Sequence, residues 1–250
     1  MKRVLLIGMV VLAAASCKKV TPEERVVAVA DYFNQQEEES YTGKVAGFEG
    51  DKRIDYLTLV LSKDLKTEDI WTLDSESGTS LMAVFEGRDK EAQDKPVISM
   101  IAAPVDDPTA CGVVLDVLKA FKKLRIAHKS EIRALFYEAQ PDSLGHPAGL
   151  ALLGQDILDA DELISFTIAL SSRDSLPSGT FAIDDQRSFR QKVIEIIPPY
   201  FTPLGTYQFV EGTFPNPDWP NRMGVYRYHV DKDRLPQDAA AVTVLTMLLN

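Results

Sequence analysis

From residue 96 onward, short stretches rich in branched and aromatic residues alternate with longer stretches of helical spacing. Strands are predicted at 96–103, 131–137, 162–170, 206–212 and 224–230, and helices at 111–124, 147–157, 184–197 and 236–249. Strands that are separated by helices pair in parallel, because each helix carries the chain back across a face of the sheet. The pattern therefore predicts an α/β fold: a central, mostly parallel mixed sheet with helices on both faces, in three layers.

The preceding segment begins with a helix signal and continues with strand-like stretches. Thr21 is a predicted N-cap, Pro22 fits the first helical position, and apolar residues then recur at helical spacing as far as Phe33. Residues 55–62 and 80–87 are predicted strands from their branched and aromatic content. No internal repeat or long linker divides the chain, so we expect a single domain over residues 23–250.

The first residues have the features of an export signal. A short basic start precedes an apolar run, residues 4–16, which is shorter than a membrane span. The "AAASC" that ends this run resembles the processing site of bacterial lipoproteins, which implies cleavage before Cys17 and a lipid on its thiol. Residues 1–16 are then a signal peptide and residues 17–22 a lipidated tether to a membrane of the bacterial cell envelope. The alternatives are an ordinary signal peptide or a single membrane anchor.

The composition of the expected mature chain restricts its partners. Removing the signal peptide leaves 25 basic residues against 37 acidic ones, a net charge of −12. This charge argues against binding to nucleic acid, which requires cations that neutralise phosphates. With Cys17 committed to a lipid, Cys111 has no partner for a disulfide within the chain. We expect Cys111 to be a small buried residue, since a reactive thiol needs an electropositive and accessible setting.

Carboxylates and one histidine follow successive predicted strands. They are Asp106, Asp107, Glu138, Asp174 and His229. In parallel sheets, sites form beyond the carboxyl ends of the strands, and zinc accepts imidazole and carboxylate ligands. Each residue alone has a plain structural explanation, because an aspartate at a helix start caps the helix and a glutamate at a strand end is solvated. Their joint placement predicts a metal site.

Four segments, taken in order, carry a resemblance to one enzyme family. They are "DDPTACGVVLDVLKAFKKL", "EIRALFYEAQPDSLGHPAG", "ISFTIALSS" and "YHVDKDRLPQDAAAVTVLTMLL". The part of the chain from Pro96 to Asn250 thereby resembles the di-zinc exopeptidases, which include bacterial leucyl aminopeptidases and glutaminyl cyclases. The resemblance implies a zinc aminopeptidase-like fold. It also implies that Asp107, Glu138 and His229 match family positions for a bridging aspartate, a paired glutamate and a late histidine.

Several family positions are changed in this chain. Pro104 stands where the first histidine ligand would be, Ala139 replaces one of the paired glutamates, and Ser171 replaces the third-strand aspartate. Asp106 and Asp174 are alternatives for two of the ligand positions. One glutamate of the pair normally serves as general base and the other as ligand, so one of these roles is lost, and two zinc ions are not expected.

Three functional hypotheses follow. The preferred one is an exopeptidase-like domain that has lost catalysis and binds a peptide or another envelope protein. Trp219, Tyr226 and Tyr228 would line its cleft, although a packed surface loop is an equal alternative for these aromatic residues. A third hypothesis keeps only the fold class, as an α/β binding lipoprotein unrelated to peptidases.

The second hypothesis is an active metallohydrolase of the aminopeptidase or glutaminyl cyclase type. One zinc would be held by Asp107, Glu138 and His229, which leaves an open position for water. If Glu138 is instead the general base, only two ligands remain. Both peptidase-like hypotheses predict that the three residues cluster at one end of the sheet, within a few ångström of a common point, whereas the third hypothesis predicts that they lie far apart.

Overall fold

The computed structural model describes residues 20–35, 40–67, 69–76, 78–87, 97–140, 163–185, 189–212 and 224–250. The strands are β1 (Asp69–Ser75), β2 (Gly78–Phe85), β3 (Val97–Pro104), β4 (Glu131–Tyr137), β5 (Leu163–Ser171), β6 (Thr180–Asp185), β7 (Gln208–Glu211) and β8 (Gly224–His229). The α-helices are α1 (Pro22–Asn34), α2 (Thr42–Val45), α3 (Asp51–Leu59), α4 (Pro108–Lys123), α5 (Phe189–Ile196) and α6 (Leu235–Leu249). A π-helical turn (Val60–Asp64) follows α3, and 3-10 turns span Pro198–Leu204 and Lys232–Arg234.

All eight strands form one sheet, in the order β1-β2-β4-β3-β5-β8-β6-β7. The four central strands β4, β3, β5 and β8 are parallel, whereas β2 pairs antiparallel with β4 and β6 pairs antiparallel with β8. The predicted mixed, mostly parallel α/β sheet is therefore confirmed. The central strands all end at one edge of the sheet, which we call the carboxyl edge, and begin at the opposite amino edge.

The sheet is buried on both faces. Along β3, Ile101 and Ala103 belong to a large apolar cluster that includes the inner faces of α1, α4 and α6. Ile98, Met100 and Ala102 point the other way, into a smaller cluster with residues of β2, β4 and β5. Burial on both faces explains why the central strands appear in the sequence as continuous apolar runs rather than as alternating patterns.

The first helix begins as the sequence predicts. The Thr21 hydroxyl accepts a hydrogen bond from the Glu24 backbone N–H at 3.3 Å, and the Glu24 carboxylate accepts one from the Thr21 N–H at 2.9 Å. This capping box satisfies two backbone donors that a helix start leaves without partners. The buried face consists of Val26, Val29, Ala30 and Phe33.

Helix α1 packs along α6. Phe33, in the last turn of α1, shares a small cavity with Pro236 and Ala239 in the first turns of α6, so the two helices run antiparallel. The end of α6 is fixed at the amino edge, because the Asn250 side-chain oxygen accepts hydrogen bonds from the backbone N–H groups of Lys129 and Ser130, just before β4. The start of α1 therefore lies towards the amino edge.

Two parts of the element prediction differ from the structure. Residues 55–62 were predicted as a strand but lie in α3 and the π-helical turn. Their buried members Leu57, Val60 and Leu61 recur at a spacing of three and four, which is helical, and this period outweighs their branched content. The predicted helix at 184–197 begins only at Phe189, because Asp184 and Asp185 end β6. Strand β1 had not been predicted.

The helix predicted at 147–157 lies outside the described residues. Within the part of the chain that the structure describes, no helix combines the length and the apolar character needed to cross a membrane.

A buried carboxylate connects α4 to the start of α2. Asp116 accepts hydrogen bonds from the Ser40 hydroxyl at 2.7 Å and from the Tyr41 backbone N–H at 3.1 Å. Its side chain is almost completely buried, and this burial raises the pKa of Asp116 to about 6, even though both donors and the nearby Lys119 and Lys44 lower it. Desolvation thus outweighs the hydrogen bonds.

Asp116 should make the free energy of unfolding depend on pH. Its folded-state pKa of about 6 lies above the ordinary value of 3.8, so the folded chain binds more protons between these values. Its stabilising contribution is therefore full below pH 3.8 and is lost as the pH rises through about 6. For a shift of this size we expect a decrease of about 3 kcal/mol.

Urea unfolding of the parent chain and of Asp116→Asn across this pH range measures the effect. The neutral asparagine can still accept from Tyr41 and contact Ser40, so the variant should lose this pH dependence and be the more stable protein above pH 6. The exposed Asp55→Asn is the control and should leave the profile unchanged. Parallel profiles for the parent and Asp116→Asn would contradict the assignment.

Candidate functional site

The predicted site residues come together at the carboxyl edge. Pro104, at the end of β3, lies opposite Tyr137 at the end of β4, and Ser171, at the end of β5, lies opposite His229 at the end of β8. Glu138 follows β4 directly, and Asp107 is the third residue after β3. These strand ends therefore lie at one edge of the sheet, and whether the predicted residues share a common point depends on the direction in which each side chain turns.

Asp107 is the most enclosed of the predicted ligands, with an exposed fraction of 1%. Its Oδ1 accepts hydrogen bonds from the Ala110 backbone N–H at 3.0 Å and from the Ser172 hydroxyl at 2.9 Å. Its Oδ2 accepts from the Ser172 backbone N–H at 2.6 Å and from the Ser171 hydroxyl at 3.4 Å. The carboxylate thus caps α4 and ties the end of β3 to the end of β5.

Three of these donors lie within 3.0 Å of the Asp107 oxygens and compete with any metal for them, and the Ser171 hydroxyl is a weaker fourth at 3.4 Å. A carboxylate has about four lone-pair sites, and four protein donors approach this one. A bridging metal would have to displace the cap of α4 or the turn after β5, which would leave the buried Ala110 N–H or the partly buried Ser172 N–H without a partner. The donor set around Asp107 therefore does not fit the bridging role that the family resemblance implies.

Asp106, the alternative ligand, is already paired with an arginine. The Arg173 Nη1 donates to its Oδ2 at 2.5 Å, and Nη2 donates to its backbone carbonyl at 2.7 Å. The hydrogen bond to Asp106 raises the pKa of Arg173 above its usual value. Both side chains are more than half exposed, so the pair contributes little stability but places a guanidinium where a second cation would compete with it.

Glu138 turns towards β2, on the side of β4 away from β3. A Cβ atom added to Gly78, the first residue of β2, would lie 2.5 Å from the Glu138 Oε2, so the carboxylate rests directly on this glycine. The Glu138 backbone N–H donates to the Ser80 hydroxyl at 2.9 Å, and its Oε1 accepts from the Gln140 N–H at 2.8 Å. A strand thus ends in a glutamate here because the glutamate closes the turn and covers β2.

The remaining two candidates differ in their surroundings. Asp174 accepts a hydrogen bond from the Leu176 backbone N–H at 3.2 Å and lies 3.8 Å from the Arg227 guanidinium. The imidazole of His229 is partly buried, and its Nδ1 has no hydrogen-bond partner. This nitrogen is itself buried, so it is a polar atom without a partner inside the protein rather than a ligand position open to solvent.

The predicted zinc ligands consequently do not form a coordination shell. Among the residues that the structure describes, no three histidine, cysteine, aspartate or glutamate side chains come close enough to hold a metal ion. The physical reasons are the four donors on Asp107, the arginine partners of Asp106 and Asp174, and the turn of Glu138 towards β2.

Two of the aromatic residues predicted to line a cleft lie in the core. Tyr226 and Tyr228 are completely buried within the large apolar cluster, and the Tyr228 hydroxyl donates to the Asp238 carboxylate at 2.6 Å. Burial and the adjacent Asp238 raise the pKa of Tyr228. These two side chains therefore offer no surface to a partner, which corrects the prediction, and Trp219 lies outside the described residues.

Sequence reasoning missed Ser172 and Arg173, which complete the carboxyl edge. Both follow β5 directly, where the resemblance draws attention to the absent aspartate rather than to its replacements. A serine pair followed by an arginine directly after a strand, facing two aspartates of the neighbouring strand end, is the signal that could have identified them. Cys111 is completely buried and its thiol donates to the Pro104 carbonyl at 3.1 Å, as expected for an unreactive residue.

Comparison with known proteins identifies the fold but no sequence relative. No protein-family model matches the chain, and no characterised protein matches its sequence. A protein from Bacteroides vulgatus that is assigned as a Zn-dependent exopeptidase has a TM-score of 0.60 and 13% identity, covering 87% of this chain and 95% of its own.

Two further solved structures support the same fold. The aminopeptidase LapA of Legionella pneumophila has a TM-score of 0.58 and 13% identity over 92% of this chain and 75% of its own. A Zn-dependent exopeptidase from Parabacteroides distasonis has a TM-score of 0.51 and 12% identity over 94% of this chain and 99% of its own. At such low identity the similarity establishes the fold, and the chain has the fold of the zinc-dependent exopeptidases.

Proposed function

We propose that this chain is an exported lipoprotein, lipidated at Cys17 and located in the bacterial cell envelope. Its exopeptidase-like domain does not hydrolyse peptides. It binds a peptide or another envelope protein at the carboxyl edge of the sheet. The observation that supports a loss of catalysis is the carboxylate of Asp107, whose two oxygens accept hydrogen bonds from four protein donors.

The carboxyl edge still offers polar groups to a partner. Arg173 and Asp106 are exposed there as a pair of opposite charges, and the partly exposed His229 lies beside Ser171. A peptide backbone or terminus could be recognised by such groups without any bond being broken. The fold supports the position of this surface, and its chemistry supports binding rather than hydrolysis.

The test is to dialyse the purified mature chain against trace zinc and to measure the metal per chain together with aminopeptidase and glutaminyl cyclase activity. We expect well under one zinc per chain and no activity, because the described carboxylates are engaged by protein donors. In the same preparation, Arg173→Glu should weaken the binding of peptides from a random pool, whereas the exposed Lys52→Glu should not.

One result would restore the active metallohydrolase hypothesis. This is one zinc per chain that is lost, together with hydrolytic activity, in His229→Ala. That variant is suitable because His229 is partly exposed and makes no hydrogen bond through Nδ1, so its replacement should leave the fold intact.

A further inference from the structure

Positive charge is concentrated at the amino edge of the sheet, which is the edge opposite the candidate site. A hollow of about 740 Å³ lies between α2, the end of the π-helical turn and the last turn of α4. We call it the basic basin. Its charged lining consists of six basic side chains and one acidic one: Lys44, Lys66, Lys119, Lys122, Lys123, Arg125 and Asp64.

This concentration contrasts with the rest of the molecule. The whole chain has a formal net charge of −10, yet the lining of the basin has an excess of positive charge. At about 0.1 M salt the Debye length is about 10 Å, so a ligand in the basin interacts with these cations while the distant acidic surface is largely screened. The basin can therefore attract an anion to a protein that is acidic overall.

One of the six basic residues, Lys122, has a structural role at the end of a helix. The Lys122 Nζ donates to the carbonyls of Asp64 at 3.2 Å and Leu65 at 2.8 Å, a common use of lysine at a helix end. Burial, with Lys66 and Lys123 close by, lowers the pKa of Lys122. Lys122 thus serves a helix end, but it also lies close to two further lysines for which the structure gives no such contact.

Two of the basic residues occupy positions that favour glycine. Lys66 and Arg125 both have φ of 51°, and they are the described non-glycine residues with positive φ. Each follows directly on a residue that ends a helical segment, where glycine is the usual choice because it adopts this conformation without strain. Backbone strain of this kind is typical of functional sites, and here both strained residues supply a cation to the same hollow.

An aromatic ring lines one wall of the basin, and a smaller apolar hollow adjoins it. The Nζ atoms of Lys44 and Lys119 each lie 5.4 Å from the centroid of the Tyr41 ring, which holds both ammonium groups at one wall. A smaller hollow of about 200 Å³ shares Leu65 and Lys122 with the basin. Most of its lining is apolar: Leu65, Phe85, Leu118, Phe121 and Ile132.

The basin also lies on the side of the predicted anchor. Helix α1 begins towards the amino edge, and Cys17 precedes its first residue, Pro22, by five residues. A chain extends at most about 3.5 Å per residue, so a lipid on Cys17 would hold the start of α1 within about 18 Å of the membrane. This step rests on the lipoprotein part of the proposed function, whereas the charges and the geometry of the basin do not.

We propose that the basic basin is a docking surface for the headgroups of anionic phospholipids in the membrane to which the chain is attached. Five of its six cations are lysines, which act as flexible point charges for phosphate, and the adjoining apolar hollow suits the acyl part of such an amphiphile. The tether keeps the local lipid concentration high, so weak binding suffices. Docking turns the carboxyl edge away from the membrane.

The test uses the mature chain with Cys17→Ser, which carries no lipid, in co-sedimentation with vesicles. We expect binding to mixed phosphatidylglycerol and phosphatidylcholine vesicles but not to phosphatidylcholine alone. The double variant Lys66→Gly with Arg125→Gly should bind about 30-fold more weakly, which corresponds to about 1 kcal/mol per basic residue. Its unfolding midpoint should be unchanged or higher, because glycine relieves both strained positions, so unfolding cannot explain the loss.

The control double variant is Lys52→Gln with Lys232→Gln, which removes two exposed charges away from the basin and should bind normally. An equal loss in the control would overturn the proposal, because net charge alone would then explain binding. So would equal binding to phosphatidylcholine vesicles, or soluble glycerol phosphate binding as tightly as the vesicles. Tighter binding of poly-L-glutamate would assign the basin to an acidic protein instead. Mass spectrometry of the N-terminal peptide from cells tests the lipid on Cys17 separately.

Discussion

Replacing Gly112 with alanine is expected to destabilise the protein by about 3 kcal/mol or more, because α4 approaches α2 too closely to admit a side chain. A Cβ atom at Gly112 would lie 2.3 Å from the Cα and 2.7 Å from the backbone nitrogen of Thr42. These are backbone atoms, so no rotamer change can relieve the contact. The better helix propensity of alanine, about 1 kcal/mol, is too small to compensate.

The same helix contact offers a matched control. Gly43 is the neighbour of Thr42 in α2, and a Cβ atom there would have nothing within 4 Å. Gly43→Ala should therefore be neutral or slightly stabilising. Urea unfolding midpoints of both variants measure the difference. A loss of less than about 1 kcal/mol in Gly112→Ala would disprove the close packing of α2 on α4. It would mean that α2 can move away from α4 at almost no cost in free energy.

Replacing Asp107 with alanine is expected to lower the free energy of unfolding by about 2 to 4 kcal/mol. The variant loses the cap of α4, which is worth about 1 kcal/mol. It also leaves the Ser172 backbone N–H, a partly buried donor, without its acceptor at 2.6 Å, and each such orphaned donor costs about 1–3 kcal/mol. Chemical denaturation of the purified variant gives the value directly.

The neighbouring aspartate is the control for this prediction. Asp106→Ala removes an exposed pairing with Arg173 and should lose no more than about 1 kcal/mol. A metal-binding role for Asp107 predicts a different result. Without zinc, Asp107→Ala would be as stable as the parent, and only the parent would gain stability when zinc is added. The combination of a large loss without metal and no response to zinc supports the structural role.

The sequence predicted the sheet well because its central strands are buried on both faces. Strand β4 was predicted with both of its ends correct, since the apolar run "EIRALFY" is bounded by a turn and a glutamate. The peripheral elements were harder. Strand β1 lies at an edge of the sheet with Trp71 exposed, so its apolar pattern is weak. The residues of α3 were predicted as a strand because branched side chains were given more weight than the helical spacing of the buried ones.

The candidate site could be predicted in position but not in geometry. The order of strands and helices places Asp107, Glu138 and His229 at one edge whatever their side chains do. Which way a carboxylate turns depends on its donors, and these come from distant residues, such as Ser172 for Asp107 and Ser80 for Glu138. A single sequence contains the donors but does not indicate that they will meet these acceptors. The tyrosines of β8 were misassigned for a similar reason, because their burial depends on α6.

The position of β8 in the middle of the sheet constrains how the chain can fold. Strands β6 and β7 come earlier in the sequence, but β8 is their only strand-to-strand link to β5 among the described pairings. Until residues 224–229 are in place, β5 has an open edge and β6 with β7 forms a separate small unit. Such late, long-range closure slows folding and leaves strand edges available for intermolecular pairing. During synthesis, the unfinished chain is therefore prone to aggregation until its last strand is inserted.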